Sequence, residues 1–261
     1  GSEMCIRDRN MSESNKRNFI VHGSILAIAG ILVRIIGMLY RIPVVNIIGS
    51  EGNGIYGAAF NIYNIMLVLS SYGLPMAVSK LVSARFTKKR YKSAAKVLRC
   101  SLMVAVCTGG IAALLVFFGA SFIENVIYGG GLPGLAIPLR ILAPTIFLVA
   151  ILGVIRGFFQ GQSTMIPTAV SQILEQIVNA IVSIAAGYGM MKAFASSPDV
   201  AAYGAAGSTL GTAMGALTAV LFMGFLYAVY TPTFNRLKRK DRHTENQSTC
   251  LLYTSPSPRD P

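Results

Sequence analysis

Four arginines carry the chemistry this sequence can do. Arg34 lies well inside an apolar stretch, residues 19–40, and Arg41 stands just past its end; Arg140 and Arg156 sit in a later one, residues 137–159. A guanidinium keeps its proton at any cellular pH, and its planar fork of donors suits a diphosphate through paired, charge-assisted hydrogen bonds. On a helix Arg34 and Arg41 are about two turns apart, so they point to nearly the same side, about 10 Å apart along the axis. Placing Arg34 in hydrocarbon costs at least about 2.5 kcal/mol, so it should face protein or a water-filled cavity. A cationic cavity implies an anionic passenger. Arg41 and Arg140 lie near the outer boundary, where lipid headgroups and substrate are equally good partners.

A second set of polar groups lies on residues 168–191. Thr168, Gln172, Glu175, Asn179 and Ser183 recur every third or fourth position and form one stripe down an otherwise apolar helix, which should face the bundle interior. Gln172 and Asn179 join the arginines as candidate substrate contacts. Glu175 is the carboxylate placed inside the membrane, and the hairpin of residues 137–159 and 168–191 brings Arg156 to similar depth. Two roles fit Glu175: a structural pair with Arg156, or a proton or cation coupling site. No nucleophile with its base and no metal-ligand cluster stands out, so neither catalytic residues nor a metal or cofactor is expected. Cys100 and Cys107 share one apolar helix, with neither metal spacing nor a disulfide framework. His22 is close enough to the membrane surface to be an ordinary interfacial residue.

These groups must be positioned by membrane helices. With 261 residues, 53% hydrophobic, 13% charged and a mean hydropathy of +0.58, the chain is too apolar for a soluble domain. Six stretches have spanning length: residues 19–40, 54–83, 97–118, 137–159, 168–191 and 203–230. The fold class is therefore all-α, a polytopic transmembrane helix bundle. The net charge of +13 is not a nucleic-acid signal. Its cations cluster before the first stretch, between the second and third, and after the sixth, which by the positive-inside rule makes both ends cytoplasmic. Gly73, Leu74 and Pro75 should kink or break the second stretch, with Gly73 and Pro75 as a hinge. Gly207, Gly211 and Gly215 fit close helix packing. The glycine-rich loop at residues 129–134 lacks a phosphate-binding context.

The two ends read differently. Residues 1–9 (GSEMCIRDR) and 250–260 (CLLYTSPSPRD) back-translate into DNA strings that are reverse complements of each other and resemble a transposon-end sequencing adapter. The expected native segment thus lies within residues 10–249, with Met11 as its start. It comprises the six-helix lobe and a basic tail, residues 231–249, with residues 1–9 and 250–261 as translated adapter.

Three stretches resemble one family: residues 34–49 (RIIGMLYRIPVVNIIG), 73–83 (GLPMAVSKLVS) and 156–176 (RGFFQGQSTMIPTAVSQILEQ). The chain is similar to the polysaccharide biosynthesis and stage V sporulation protein B family, in the superfamily of lipid II flippases and multidrug and toxin extruders. The resemblance implies a protein about twice as long, whose two six-helix lobes enclose a cavity and alternate between inward- and outward-open states. This chain would be the N-terminal lobe of such a MATE-like transporter, with the C-terminal lobe missing, in a bacterial plasma membrane. The implied passenger is an undecaprenyl-diphosphate-linked glycan precursor, its diphosphate held by cavity arginines and its tail left among the membrane lipids. Arg34 matches the first-helix arginine of the lipid II flippases, and Arg41 falls one position from a second. The flippases of Gram-negative type also carry a second-helix arginine, absent here, and close relatives often have arginine where this chain has Asn179. A cation-coupled drug antiporter and a non-transporting scaffold for cell-wall enzymes are the alternatives. The first commonly needs an acidic residue on the first helix, and the second has no need of Arg34.

Overall fold

The computed structural model describes the backbone of residues 2–241 and the side chains of residue 24 and residues 26–241. Six α-helices and one π-helical turn make up the described fold: α1 (Ser2–Ser70), α2 (Leu74–Thr87), α3 (Tyr91–Phe122), the π turn (Ile123–Ile127), α4 (Ala136–Gly161), α5 (Ile166–Ala193) and α6 (Val200–Lys240). The all-α expectation is met. His22 and the cations before the first apolar stretch lie outside the described side chains.

Among the described residues, five helical stretches are long and apolar enough to cross a membrane, and the first, Leu26–Thr87, has 62 residues. That is enough for two crossings. It is divided at Gly49, whose φ of 72° and ψ of −177° interrupt α1 in a region that essentially only glycine enters. Tyr40 and Tyr56, either side of the break, pack in the same apolar cluster. On an unbroken helix they would be about 24 Å apart along the axis. The two arms of α1 therefore fold back on each other as successive passes, giving six passes among the described residues.

Further along, the second pass breaks where proline and glycine predict. A turn at residues 71–73 separates α1 from α2, and Pro75 takes a first-turn position of α2, where its missing N–H costs nothing. Helix α6 runs on through Pro232 to Lys240, so residues 231–240 of the expected basic tail are helical.

Small residues set the helix packing. A Cβ on Gly211 would collide with Ser183 Oγ and lie 2.6 Å from Asn179 O, and one on Gly215 would lie 2.7 Å from Glu175 O. Helices α5 and α6 thus touch backbone to backbone, as the glycine spacing suggests. A second stripe, Gly153, Gly157 and Gly161 on α4, receives α2 in the same way, with a Gly157 Cβ only 2.6 Å from Pro75 O.

Two apolar clusters fill the bundle, one toward each end. Val44, Ile48 and Ile55 of α1 pack with Leu135, Leu139 and Ala202; Val78 and Val82 of α2 pack with Leu98, Phe158, Met223 and Phe234. Around them Leu69, Phe118, Leu221 and Phe225 are exposed, as suits helices solvated by lipid. The chain is a multi-pass membrane protein.

Each end of the bundle is closed by a carboxylate. At one, Glu124 accepts hydrogen bonds from Gly134 N (3.0 Å) and Ala136 N (2.7 Å), pinning the glycine-rich loop to the start of α4. At the other, buried Asp241 accepts from Lys92 N at 3.0 Å, while Phe86 stacks on Phe234. The basic α2–α3 connection and the basic end of α6 therefore lie at the same end. Cys107 carries an exposed free thiol.

Candidate functional site

The first arm of α1 lies along α5. A Cβ on Gly37 would sit 4.0 Å from Gln176 Oε1, and Tyr40 Oη accepts from Asn179 Nδ2 at 3.2 Å. Contacts advance in step along both helices, so this arm and α5 run in the same direction. The second arm returns past the same helix, bringing Tyr63 near Glu175.

Arg34 and Arg41 are both exposed on the first arm. Neither forms an ion pair among the described residues. The described bundle does not house Arg34 in its interior. The reason lies in α5, whose Glu175, Asn179 and Ser183 find their partners without it.

Most of the α5 stripe faces inward, as its periodicity requires. Thr168, Asn179 and Ser183 are buried, while Gln172 and Glu175 are half-buried. Asn179 Oδ1 lies 2.9 Å from Ser183 Oγ and 3.4 Å from Thr212 Oγ1. With Tyr40 on its nitrogen, the Asn179 amide is engaged on both sides. Ser183 Oγ also lies 2.8 Å from Ser208 O, tying the stripe to α6.

Arg156 and Glu175 meet as the hairpin predicts. Arg156 Nη2 lies 2.8 Å from Glu175 Oε2, and its Nε donates to Ser171 Oγ at 3.0 Å. Ser171 in turn donates to Thr168 O. Arg140 is exposed and donates to Ser121 Oγ of α3 at 2.9 Å, so it serves a different helix pair from Arg34. Gly73 and Pro75 frame the break before α2.

Three participants escape a reading by spacing. Tyr40, Tyr56 and Ser171 look like ordinary members of apolar helices. The available signal is a hydroxyl in a membrane span, which needs a partner because lipid offers none.

Comparisons with known proteins agree with this architecture. The profile of the polysaccharide biosynthesis protein family matches residues 20–250. The lipid II flippase MurJ of Bacillus subtilis (strain 168) is 34% identical over 176 residues, 65% of this chain and 32% of its own length. Stage V sporulation protein B of the same organism is 30% identical over 210 residues, 80% of this chain and 39% of its own. Its uncharacterized membrane protein YabM is 29% identical over 240 residues, 92% of this chain and 42% of its own. The chain thus spans about a third to two fifths of the length of these relatives. No solved structure matches it.

Proposed function

From the premise that this chain belongs to the polysaccharide biosynthesis protein family, we propose that it is the N-terminal lobe of a flippase. Its substrate is a polyprenyl-diphosphate-linked glycan precursor, lipid II or another cell-wall or polysaccharide intermediate, moved from the inner to the outer leaflet of a bacterial plasma membrane. It is a transporter rather than an enzyme. One observation carries the reading: Arg34, in an apolar pass, is exposed and without an ion-pair partner among the described residues. An unneutralised cation at that depth is too costly to leave in lipid. It is accounted for if a second lobe encloses an aqueous cavity against it and an anionic group visits.

In this mechanism the basic end of the bundle is cytoplasmic, by the positive-inside rule. The diphosphate loads onto Arg34 from that side, with Arg41 further along the same path. Rocking of the two lobes, with the break at Gly73 and Pro75 as a flexing point, then opens the cavity outward. A membrane potential positive outside assists an anion by about 2.3 kcal/mol per charge per 100 mV. Asn179 and the Arg156–Glu175 pair hold α5 in register, and Gln172 is the stripe residue left half-exposed for the passenger.

The test uses the complete gene, recovered by reads crossing the two adapter-like ends. Expressed in a host depleted of its own lipid II flippase, the protein restores growth, and Arg34→Ala does not. Failure of the well-expressed complete protein to rescue moves the substrate from lipid II to another polyprenyl-linked glycan. Rescue that is indifferent to Arg34 overturns the cationic-cavity mechanism.

A further inference from the structure

The second arm of α1 carries two amides where lipid would tolerate none. Asn61 and Asn64 are exposed, one turn apart, and have no hydrogen-bond partner among the described residues. They lie opposite the packed side of this arm, where Ile55, Ala59 and Tyr63 are buried. Gly57 and the exposed Val68 continue the same outward stripe. An amide in hydrocarbon forfeits the hydrogen bonds it had in water, so this stripe must meet water or polar groups in the complete protein.

Depth connects the stripe to Arg34. The two arms fold back on each other about Gly49, and Arg34 and Asn64 stand equally far along the chain from that glycine. Both are therefore about 22 Å from the break along their own arms. Positions along α5 agree, since Tyr63 lies near Glu175 and Gly37, one turn beyond Arg34, faces Gln176. A guanidinium and a pair of unpartnered amides thus stand at one level on consecutive passes.

We propose that Asn61 and Asn64 form the sugar-binding part of the same site, hydrogen-bonding the hydroxyl and acetamido groups of the glycan while Arg34 holds the diphosphate. The inference rests on the flippase reading and adds to it the residues that sense the head group. An asparagine amide both donates and accepts, as sugar hydroxyls do, whereas a diphosphate only accepts and has no use for the amide oxygen.

The deciding experiment measures binding to the complete protein in nanodiscs with two probes, undecaprenyl diphosphate and the same lipid bearing a disaccharide. The double variant Asn61→Leu/Asn64→Leu loses about five- to thirtyfold in affinity for the glycosylated lipid, the scale of one or two hydrogen bonds, and keeps its affinity for the bare diphosphate. That retained binding also shows the variant is folded. Unchanged affinity for the glycosylated lipid overturns the assignment, as does an equal loss for both lipids. Arg34→Ala separates the two readings: it weakens both probes if the flippase site is right, whatever the asparagines do. If the unaltered protein binds neither lipid, both readings fall together.

Discussion

Arg156 on α4 and Glu175 on α5 form an ion pair at 2.8 Å, with side-chain exposures of only 15% and 20%. Arg156 spends its Nε on Ser171, so the carboxylate holds one branch of the guanidinium while a hydroxyl holds another. Removing one partner strands a largely buried charge, at a cost of about 3 to 5 kcal/mol in comparable pairs, whereas removing both is close to neutral. Arg156→Leu alone should therefore lower the melting temperature in detergent strongly, and adding Glu175→Leu should recover at least half of the loss. The same double variant separates the two roles open to Glu175. A structural pair predicts retained transport, and a coupling site predicts a stable protein that no longer transports.

Gly211 makes a sharper packing test. Its missing side chain is what lets α6 lie against Asn179 and Ser183 of α5. Gly211→Ala should destabilise the bundle by about 1 to 3 kcal/mol, the usual range for overpacking. Gly224, on the same helix, has nothing within 4 Å of an added Cβ. Gly224→Ala should leave the melting temperature unchanged or raise it slightly, given the better helix propensity of alanine. Equal effects at the two sites would contradict the packing.

The contrast between these sites shows what was legible beforehand. The glycines at every fourth position of α6, the break before Pro75 and the Arg156–Glu175 pair follow from helical periodicity and hairpin depth, which are local rules. The inward turn of the α5 stripe does too, because its residues share one face. What periodicity leaves open is which neighbour covers a given face. Arg34 lies on the outside of this bundle, where Asn179 and Ser183 of α5 find their partners in Tyr40, Thr212 and each other without it. The second glycine stripe, on α4, was equally regular in the sequence, yet only the position of α2 reveals its use. The extension of α6 past Pro232 depends on a distant partner, since Phe234 is buried against Phe86 and Phe158.

Asp241 supplies a local test of how α6 ends. Its carboxylate caps the first turn of α3 from a distant part of the chain, at Lys92 N, where both the free donor and the helix dipole favour a negative group. Asp241→Ala should cost about 1 kcal/mol. The loss should appear as roughly fivefold faster hydrogen exchange in the first turn of α3, with the middle of α4 unaffected. Uniformly faster exchange throughout the bundle would mean that Asp241 acts on global stability rather than as a cap.

Arg34 offers the cleanest separation of function from structure. Its side chain is exposed and has no ion-pair partner among the described residues, so Arg34→Ala should leave the melting temperature of the complete protein within error. Transport of the lipid-linked glycan should nevertheless fall at least about tenfold, the scale of one lost charge-assisted hydrogen bond of about 1.5 to 3 kcal/mol. Arg34→Lys should fall between, because an ammonium keeps the charge but lacks the planar fork that grips two phosphate oxygens at once. The order arginine, lysine, alanine at constant stability distinguishes direct anion contact from a general electrostatic field, for which lysine would serve as well as arginine. A variant that loses stability and transport in parallel would instead place Arg34 among the structural residues and remove the observation on which the cavity rests.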